Sequence, residues 1–183
     1  MEIALISEAL FKENSPIKED TIISKFVPYI NIAQRMYLDK VLGKPLVEEL
    51  QDQIKAAQDN PDADPYPITP ENQALLTLIA PPLAFYAVYQ GIPFHWAAII
   101  NKGITVRESE NSKAVDIKDI AQLRRWLRDD AEELLRQLID YLCECGGSYP
   151  LWKPGKYCGG CGCDGDNGLN VTFDAGIFIP KRR

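Results

Sequence analysis

The chain has 183 residues, 46% of them hydrophobic and 25% charged, which suits a soluble globular protein with one properly buried core and perhaps an appendage. Its formal charge is −6, which argues against a protein that grips nucleic acid by its phosphates; an acidic wall would repel DNA passing beside it. No apolar run is expected to reach the ~20 residues of a membrane span, and the opening MEIALISEALFKE has no basic leader, so synthesis in the cytoplasm is expected, with no secretory signal and no membrane partner.

Residues 1–20 mix apolar and charged side chains without a long period and are expected to form an N-terminal arm, with Ile3, Leu5 and Ile6 as a short strand or extended segment and Ser15-Pro16 as a turn or helix start. Helical spacing begins near Asp20 with Ile22, Ile23 and Phe26. Pro28 should divide this short helix from a longer one, because an interior proline removes a hydrogen bond and clashes with the preceding turn. From Tyr29 to Leu50 the sequence YINIAQRMYLDKVLGKPLVEEL predicts two helices, the second turning back on the first. Ile30, Ala33, Tyr37 and Val41 recur on one face of the first, with Gln34, Arg35, Asp39 and Lys40 mostly between them. Gly43 supplies a residue able to adopt the left-handed conformation past a helix end, and Pro45 suits the first turn of the next helix. That helix should run to about Gln58 with Leu46, Leu50 and Ile54 on one face.

Residues 59–70, DNPDADPYPITP, contain four prolines and predict a stiff loop. Thr69-Pro70 then caps a strongly apolar helix carrying Leu75, Leu76, Ile79, Leu83, Tyr86 and Tyr89. Apolar residues this broadly distributed predict a central helix buried on several sides, kinked by Pro81-Pro82. Beyond it, Phe94, Trp96, Ile99 and Ile100 are expected to be buried, and Lys102 to Arg107 to form a strand of a small hairpin with ESENSK at its tip. The last helix, capped by Asp116, has an apolar stripe of Ile117, Ile120, Leu123, Leu127, Leu134, Leu138 and Tyr141, with Trp126 and Ala131 beside or within it. Its arginines and carboxylates are expected to pair along a solvated face. After Cys145 the chain becomes rich in Gly, Cys and Asp, and it ends in two short runs of strand-forming residues, Asn170 to Phe173 and Ile177 to Ile179.

The fold expected from these elements is mainly α: a small helical bundle over residues 21–145, an N-terminal arm over 1–20, a short hairpin, and a Cys/Gly-rich segment with an extended C-terminal arm over 146–183. Leu38, Leu42, Leu83, Leu127 and Leu134 are the expected core. The cysteines Cys143, Cys145, Cys158, Cys161 and Cys163 form the one constellation with recognisable chemistry. Cys158-Gly-Gly-Cys161 resembles a zinc knuckle, Cys143-Glu-Cys145 would add a second pair, and four thiolates around tetrahedral zinc make a structural site. Reduced, unligated thiols are the alternative in a reducing compartment, and disulfides formed after the protein leaves the cell are a third. His95, the lone histidine, sits between Phe94 and Trp96 and is expected to pack rather than react. Asp164-Gly-Asp166-Asn167-Gly168 lacks the length and closing Glu of a calcium loop and reads as a turn. No nucleophile elbow, zincin, P-loop or dinucleotide motif occurs, so no enzyme is expected. The terminal strand is expected to be ordered only against a partner, with Val171, Phe173, Ile177, Phe178 and Ile179 engaging a sheet edge or pockets and Lys181, Arg182 and Arg183 meeting acidic groups.

Ala33-Gln34, Tyr37-Leu38, Leu42-Gly43 and Leu46 follow an A-Q-x-x-Y-L-x-x-x-L-G-x-x-L spacing. The chain over roughly residues 15–145, including the apolar third helix, Lys102-Gly103-Ile104 and the long last helix, resembles the head–tail connector proteins of tailed bacteriophages, also called head-completion or adaptor proteins. The resemblance is strongest to those of Bacteroidetes phages and prophages. It implies a helical bundle whose copies form a homo-oligomeric ring, usually dodecameric, in the neck of the virion. The ring would dock under the portal protein, extend the DNA channel without binding DNA specifically, and present a platform to the next tail or stopper protein. The alternative function, from a different class, is a zinc-stabilised protein-binding module of a cytoplasmic regulatory protein.

Overall fold

A computed structural model of the chain describes residues 3–17, 21–100, 103–106 and 116–153. Helix α1 spans Glu8–Asn14 and is opened by Ser7, whose Oγ accepts the Leu10 N–H at 3.2 Å, satisfying one of the free donors of a first turn. Ser15 ends this helix rather than starting one. Leu5, Ile6 and Phe11 are buried in the main core. The backbone ahead of α1 is held from two sides: Leu5 N–H donates to Gln34 Oε1 at 2.9 Å, and Gln51 Nε2 donates to the Ile3 carbonyl at 2.8 Å. The expected N-terminal arm is therefore, over its described residues, part of the bundle. Three large apolar side chains within a few residues gain more from burial than a free arm would allow.

A single 3₁₀ turn at Ile23–Lys25 precedes α2, Val27–Ala33, and Pro28 stands in the first turn of α2 and divides the chain as expected. The helix continues through a π turn at Gln34–Leu38, where the Asp39 N–H reaches the Gln34 carbonyl, into α3, Asp39–Leu42. Ile30, Ala33 and Val41 are buried as their spacing predicts. Gln34, expected among the outward polar residues, is buried too, because its side-chain oxygen serves the Leu5 backbone. Gly43 ends α3 with φ 78° and ψ 149°, and no other described residue has a positive φ. This is an extended conformation reserved for glycine, not the left-handed helical one expected. Helix α4, Lys44–Asp59, starts immediately with Pro45 in its first turn. It touches α3 across this joint, and besides Gln51, which reaches back to Ile3, its polar side chains reach forward: the buried Asn72 donates Nδ2–H to Glu49 Oε1 at 3.1 Å and to Gln53 Oε1 at 3.0 Å.

Asn72 belongs to α5, Pro70–Trp96, which is capped by Thr69 Oγ1 accepting the Asn72 N–H at 3.3 Å. This helix touches α1, α2 and the last helix, and Leu75, Leu76, Ile79, Ala80, Leu83, Ala84, Ala87 and Val88 are all buried. By length and composition its stretch Pro70–His95 is apolar enough to cross a membrane, contrary to expectation, but 61% of its most apolar window is buried inside the bundle. The helix runs unbroken through Pro81 and Pro82. Those prolines leave the carbonyls of Thr77 and Leu78 without helical donors, and both residues lie on the exposed side where water serves them. Gly91 lets α2 approach: a Cβ there would stand 2.9 Å from the Phe26 ring and 3.1 Å from the Tyr29 ring.

After α5 the chain forms an antiparallel pair, β1 (Ala97–Ile100) with β2 (Gly103–Val106), in register Ala97↔Val106 to Ile100↔Gly103. The expected hairpin is present, but its reversal falls between Ile100 and Gly103 instead of at ESENSK. Two-residue connections are the commonest way to join such strands.

Helix α6, Ile117–Glu144, is capped by Asp116 Oδ1 accepting the Lys118 N–H at 3.0 Å. It runs antiparallel to α5: Arg124 meets Tyr89, while Tyr149, just past the end of α6, donates its OH to the Glu71 carbonyl at 2.9 Å. Leu127, Ala131, Leu138 and Leu142 are buried, whereas Leu134 is only half-buried. Ile117, Leu123 and Trp126, expected in or beside the buried stripe, are exposed. A 3₁₀ turn at Gly146–Ser148 brings the chain back onto the bundle, with Tyr149 and Trp152 buried. Trp152 Nε1–H donates to the Val41 carbonyl at 3.0 Å, supplying a partner to one of the open carbonyls at the end of α3. The domain boundary expected at 145 thus lies beyond Trp152.

Two outcomes test this core. Leu83→Ala, at a fully enclosed position, should lower unfolding free energy by about 2–5 kcal/mol in urea denaturation. A chain truncated after Lys153 should keep a cooperative transition, while one truncated after Cys145, which loses the Tyr149 and Trp152 anchors, should melt markedly earlier by circular dichroism. Equal stability of the two truncations would separate residues 146–152 from the bundle.

Candidate functional site

The sequence-predicted sites fall mostly outside the described residues. Cys158, Cys161 and Cys163, the Asp164–Gly168 turn, and the partner-binding set Val171, Phe173, Ile177, Phe178, Ile179, Lys181, Arg182 and Arg183 all lie there. Cys143 and Cys145 sit at the end of α6, partly buried against the core. Cys143 is disulfide-bonded and Cys145 is a free thiol. A sulfur in a disulfide has no thiolate to give a metal, so Cys143 can be one of the four zinc ligands only in its reduced form. Among the described residues no cluster of three or more His, Cys, Asp or Glu stands ready for a metal ion.

His95 packs, as expected: its ring stacks on Phe26 with centroids 4.2 Å apart. Tyr29 stacks on Phe94 at 5.8 Å, although Phe94, expected to be buried, is half exposed. Phe26, Val88, Ile92, His95, Leu123 and Leu127 line an apolar groove of about 520 Å³ where α2, α5 and α6 meet. Deeper in the bundle Tyr37 stacks on Tyr86 at 3.9 Å, and Gln90 Nε2–H donates to the Tyr37 hydroxyl at 2.7 Å. Burial pushes both hydroxyls above the ordinary tyrosine range, so both are neutral at any physiological pH. That stack ties the π turn to α5 and offers no group that titrates at physiological pH.

A more specific arrangement stands at the C-terminal end of α5. Pro93 has no N–H, so the Tyr89 carbonyl loses its helical donor. Arg124 of α6 replaces it, donating Nε–H at 3.3 Å, and its guanidinium lies 4.3 Å from the centre of the Tyr89 ring. One hydrogen bond and one cation–π contact hold this side chain in place. Tyr89, Ala121, Arg124, Arg125 and Arg128 line a shallow cleft of about 230 Å³. Arg128 is engaged by Asp129 at 3.2 Å and Glu132 at 3.5 Å. Arg125 is exposed and has no ion-pair partner among the described residues, and the neighbouring Trp126 is 60% exposed. Farther along α6, Arg136 pairs with Glu133 and with Asp140 at 2.9 Å, as the charge pattern predicts. These pairs are open to water and screened by it.

An aromatic and arginine patch of this kind was not read from the sequence. The signal for it was present: a proline four residues after Tyr89 leaves a carbonyl that some other donor must serve. Replacing Arg124 by Ala should cost about 1–2 kcal/mol in unfolding free energy, since the carbonyl loses its partner. The zinc expectation is tested separately on reduced protein, which should carry about one equivalent of zinc by elemental analysis and lose it on substitution of Cys158 or Cys161; reduced protein that is metal-free and indifferent to chelator would reject it.

Searches of curated proteins and of solved structures find no significant match. A match to a family of unknown function covers residues 38–162, from the middle of the A-Q-x-x-Y-L signature to beyond the Trp152 anchor. Since that span is more than half of the chain, the protein belongs to this family of unknown function, DUF6712.

Proposed function

We propose that the chain is a structural adaptor of a phage neck, forming a ring under the portal that extends the DNA channel and presents a platform to the next tail component. The observation that carries this reading is what the signature residues do. Ala33, Gln34, Leu38, Leu42 and Leu46 are all buried, Tyr37 joins the stack with Tyr86, and Gly43 makes the joint between α3 and α4. Each has a structural task, so the spacing that resembles the connector family is the spacing that builds this bundle. Two further features support it. The bundle is acidic overall, as suits a conduit that must let DNA pass. Its exposed surface carries Trp126, Phe94 and Arg125, which has no ion pair among the described residues, a composition typical of contacts between proteins.

The portal protein is the assay partner. Purified chain mixed with a portal protein from the same phage or prophage should form a ring of density beneath the portal in electron micrographs, and the chain should be found in purified particles by mass spectrometry. Deleting residues 170–183 should leave a folded protein that no longer docks, because the terminal strand is proposed to add to a partner's sheet edge. Normal docking by the truncated chain would reject that role for the tail. A full-length chain that neither docks nor appears in particles would reject the neck assignment.

A further inference from the structure

The patch at the start of α6 has a counterpart of opposite charge at the other end of the same chain. The end of α4 and the loop joining it to α5 carry Asp59, Asp62 and Asp64, all exposed and without ion pairs among the described residues, followed by the exposed Tyr66. It ends at Pro70, the first residue of α5. The arginine patch meets α5 at Tyr89. At about 1.5 Å of rise per residue, Tyr89 lies roughly 28 Å along α5 from Pro70. That is several screening lengths at physiological salt, where the Debye length is about 8 Å. The two charged surfaces therefore have no contact within one molecule, and only a different molecule can bring such surfaces together.

We infer that copies of this chain associate head to tail, with the Asp59–Tyr66 loop of one copy docked on the Arg124–Arg125–Trp126 surface of the next. The chemistry matches on both sides. Arg124 is already ordered by Tyr89, so less freedom is lost when its remaining N–H groups meet a carboxylate. Arg125 is exposed and has no ion-pair partner among the described residues. Trp126 gives a large apolar face for Tyr66 or for the prolines beside it, Pro65 and Pro67. The loop is short and bounded by the Asn72–Glu49 and Asn72–Gln53 hydrogen bonds at its base, so it is presented by a rigid support. A contact between two different surfaces of identical copies is heterologous, and it generates a closed ring or an open filament. The inference rests on the proposed ring only for the closure of the assembly. The contact itself is measured without portal, so its failure and a failure of portal docking are separate results.

The test uses the full-length chain and two exposed-surface variants, Arg125→Glu and Asp59→Lys/Asp62→Lys, neither of which removes an intramolecular contact described above. In sedimentation velocity the wild type should self-associate as concentration rises, and more weakly as salt goes from about 0.05 M to about 0.5 M. Each variant alone should associate at least about tenfold more weakly while keeping the wild-type circular dichroism spectrum and melting temperature. Mixed in equal amounts, the two variants should recover association, because the intact arginine patch of the aspartate variant meets the intact loop of the arginine variant. Trp126→Ala should weaken association without changing its salt dependence. A monomeric wild type at high concentration, variants that associate as the wild type does, or a mixture no stronger than its components would each overturn the contact.

Discussion

The rest of the structure is organised by the need to cover α5 on almost every side. A helix of 27 residues whose apolar side chains are spread around most of its circumference has only a narrow face, that of Thr77 and Leu78, to give to water. Helix α6 covers one side, α2 another, and α1 a third. This explains why the N-terminal segment is not an arm. Phe11 fills space against Phe26, their rings 5.8 Å apart, and a bundle without α1 would leave part of α5 bare. It also explains the close approach at Gly91, where any larger residue would push the Phe26 and Tyr29 rings away from the central helix.

Apolar covering fixes which faces meet but leaves the arrangement of helices along and around α5 loosely determined. A few buried polar contacts supply that specificity. Gln34 holds the N-terminal backbone, Asn72 joins the start of α5 to α4, and the Trp152 indole closes the end of α3. Each is a side chain whose partner is lost if its helix slides by a residue, so each penalises the wrong register more than it stabilises the right one. The π turn belongs to the same logic. By adding a residue to one turn it leaves Gln34 facing Leu5 while Leu38 and Leu42 still face the core.

Function has to be sought on the surface that this packing leaves over. Interior prolines are costly in a helix, and Pro93 is offset by Arg124, a residue from another element. The result is an ordered guanidinium beside an exposed tryptophan on an otherwise acidic molecule. The A-Q-x-x-Y-L spacing lies in the interior and describes how the bundle is built. The surface features are the ones that distinguish partners, because a partner meets side chains and not the core.

Local signals determined much of this protein by themselves. The caps at Thr69 and Asp116, the prolines at 28 and 45, and the glycine at 43 placed helix ends because their backbone chemistry acts within a few residues. The central position of α5 was legible too, since an all-round apolar helix has only one stable location. Tertiary structure decided the remainder. Gln34 is polar and reads as exposed; it is buried because a backbone N–H from residue 5 needs an acceptor there. Trp126 and Ile117 are apolar and read as buried; they are exposed, Trp126 because it lies on the outer face of α6 while its neighbours Arg124 and Leu127 turn to the bundle. Tyr149 and Trp152 stand in a stretch without periodicity, and their burial depends on carbonyls of Glu71 and Val41 far away in the chain. Spacing along a sequence reports which residues share a face, but it does not report how far the opposing face reaches or which distant backbone group is left without a partner.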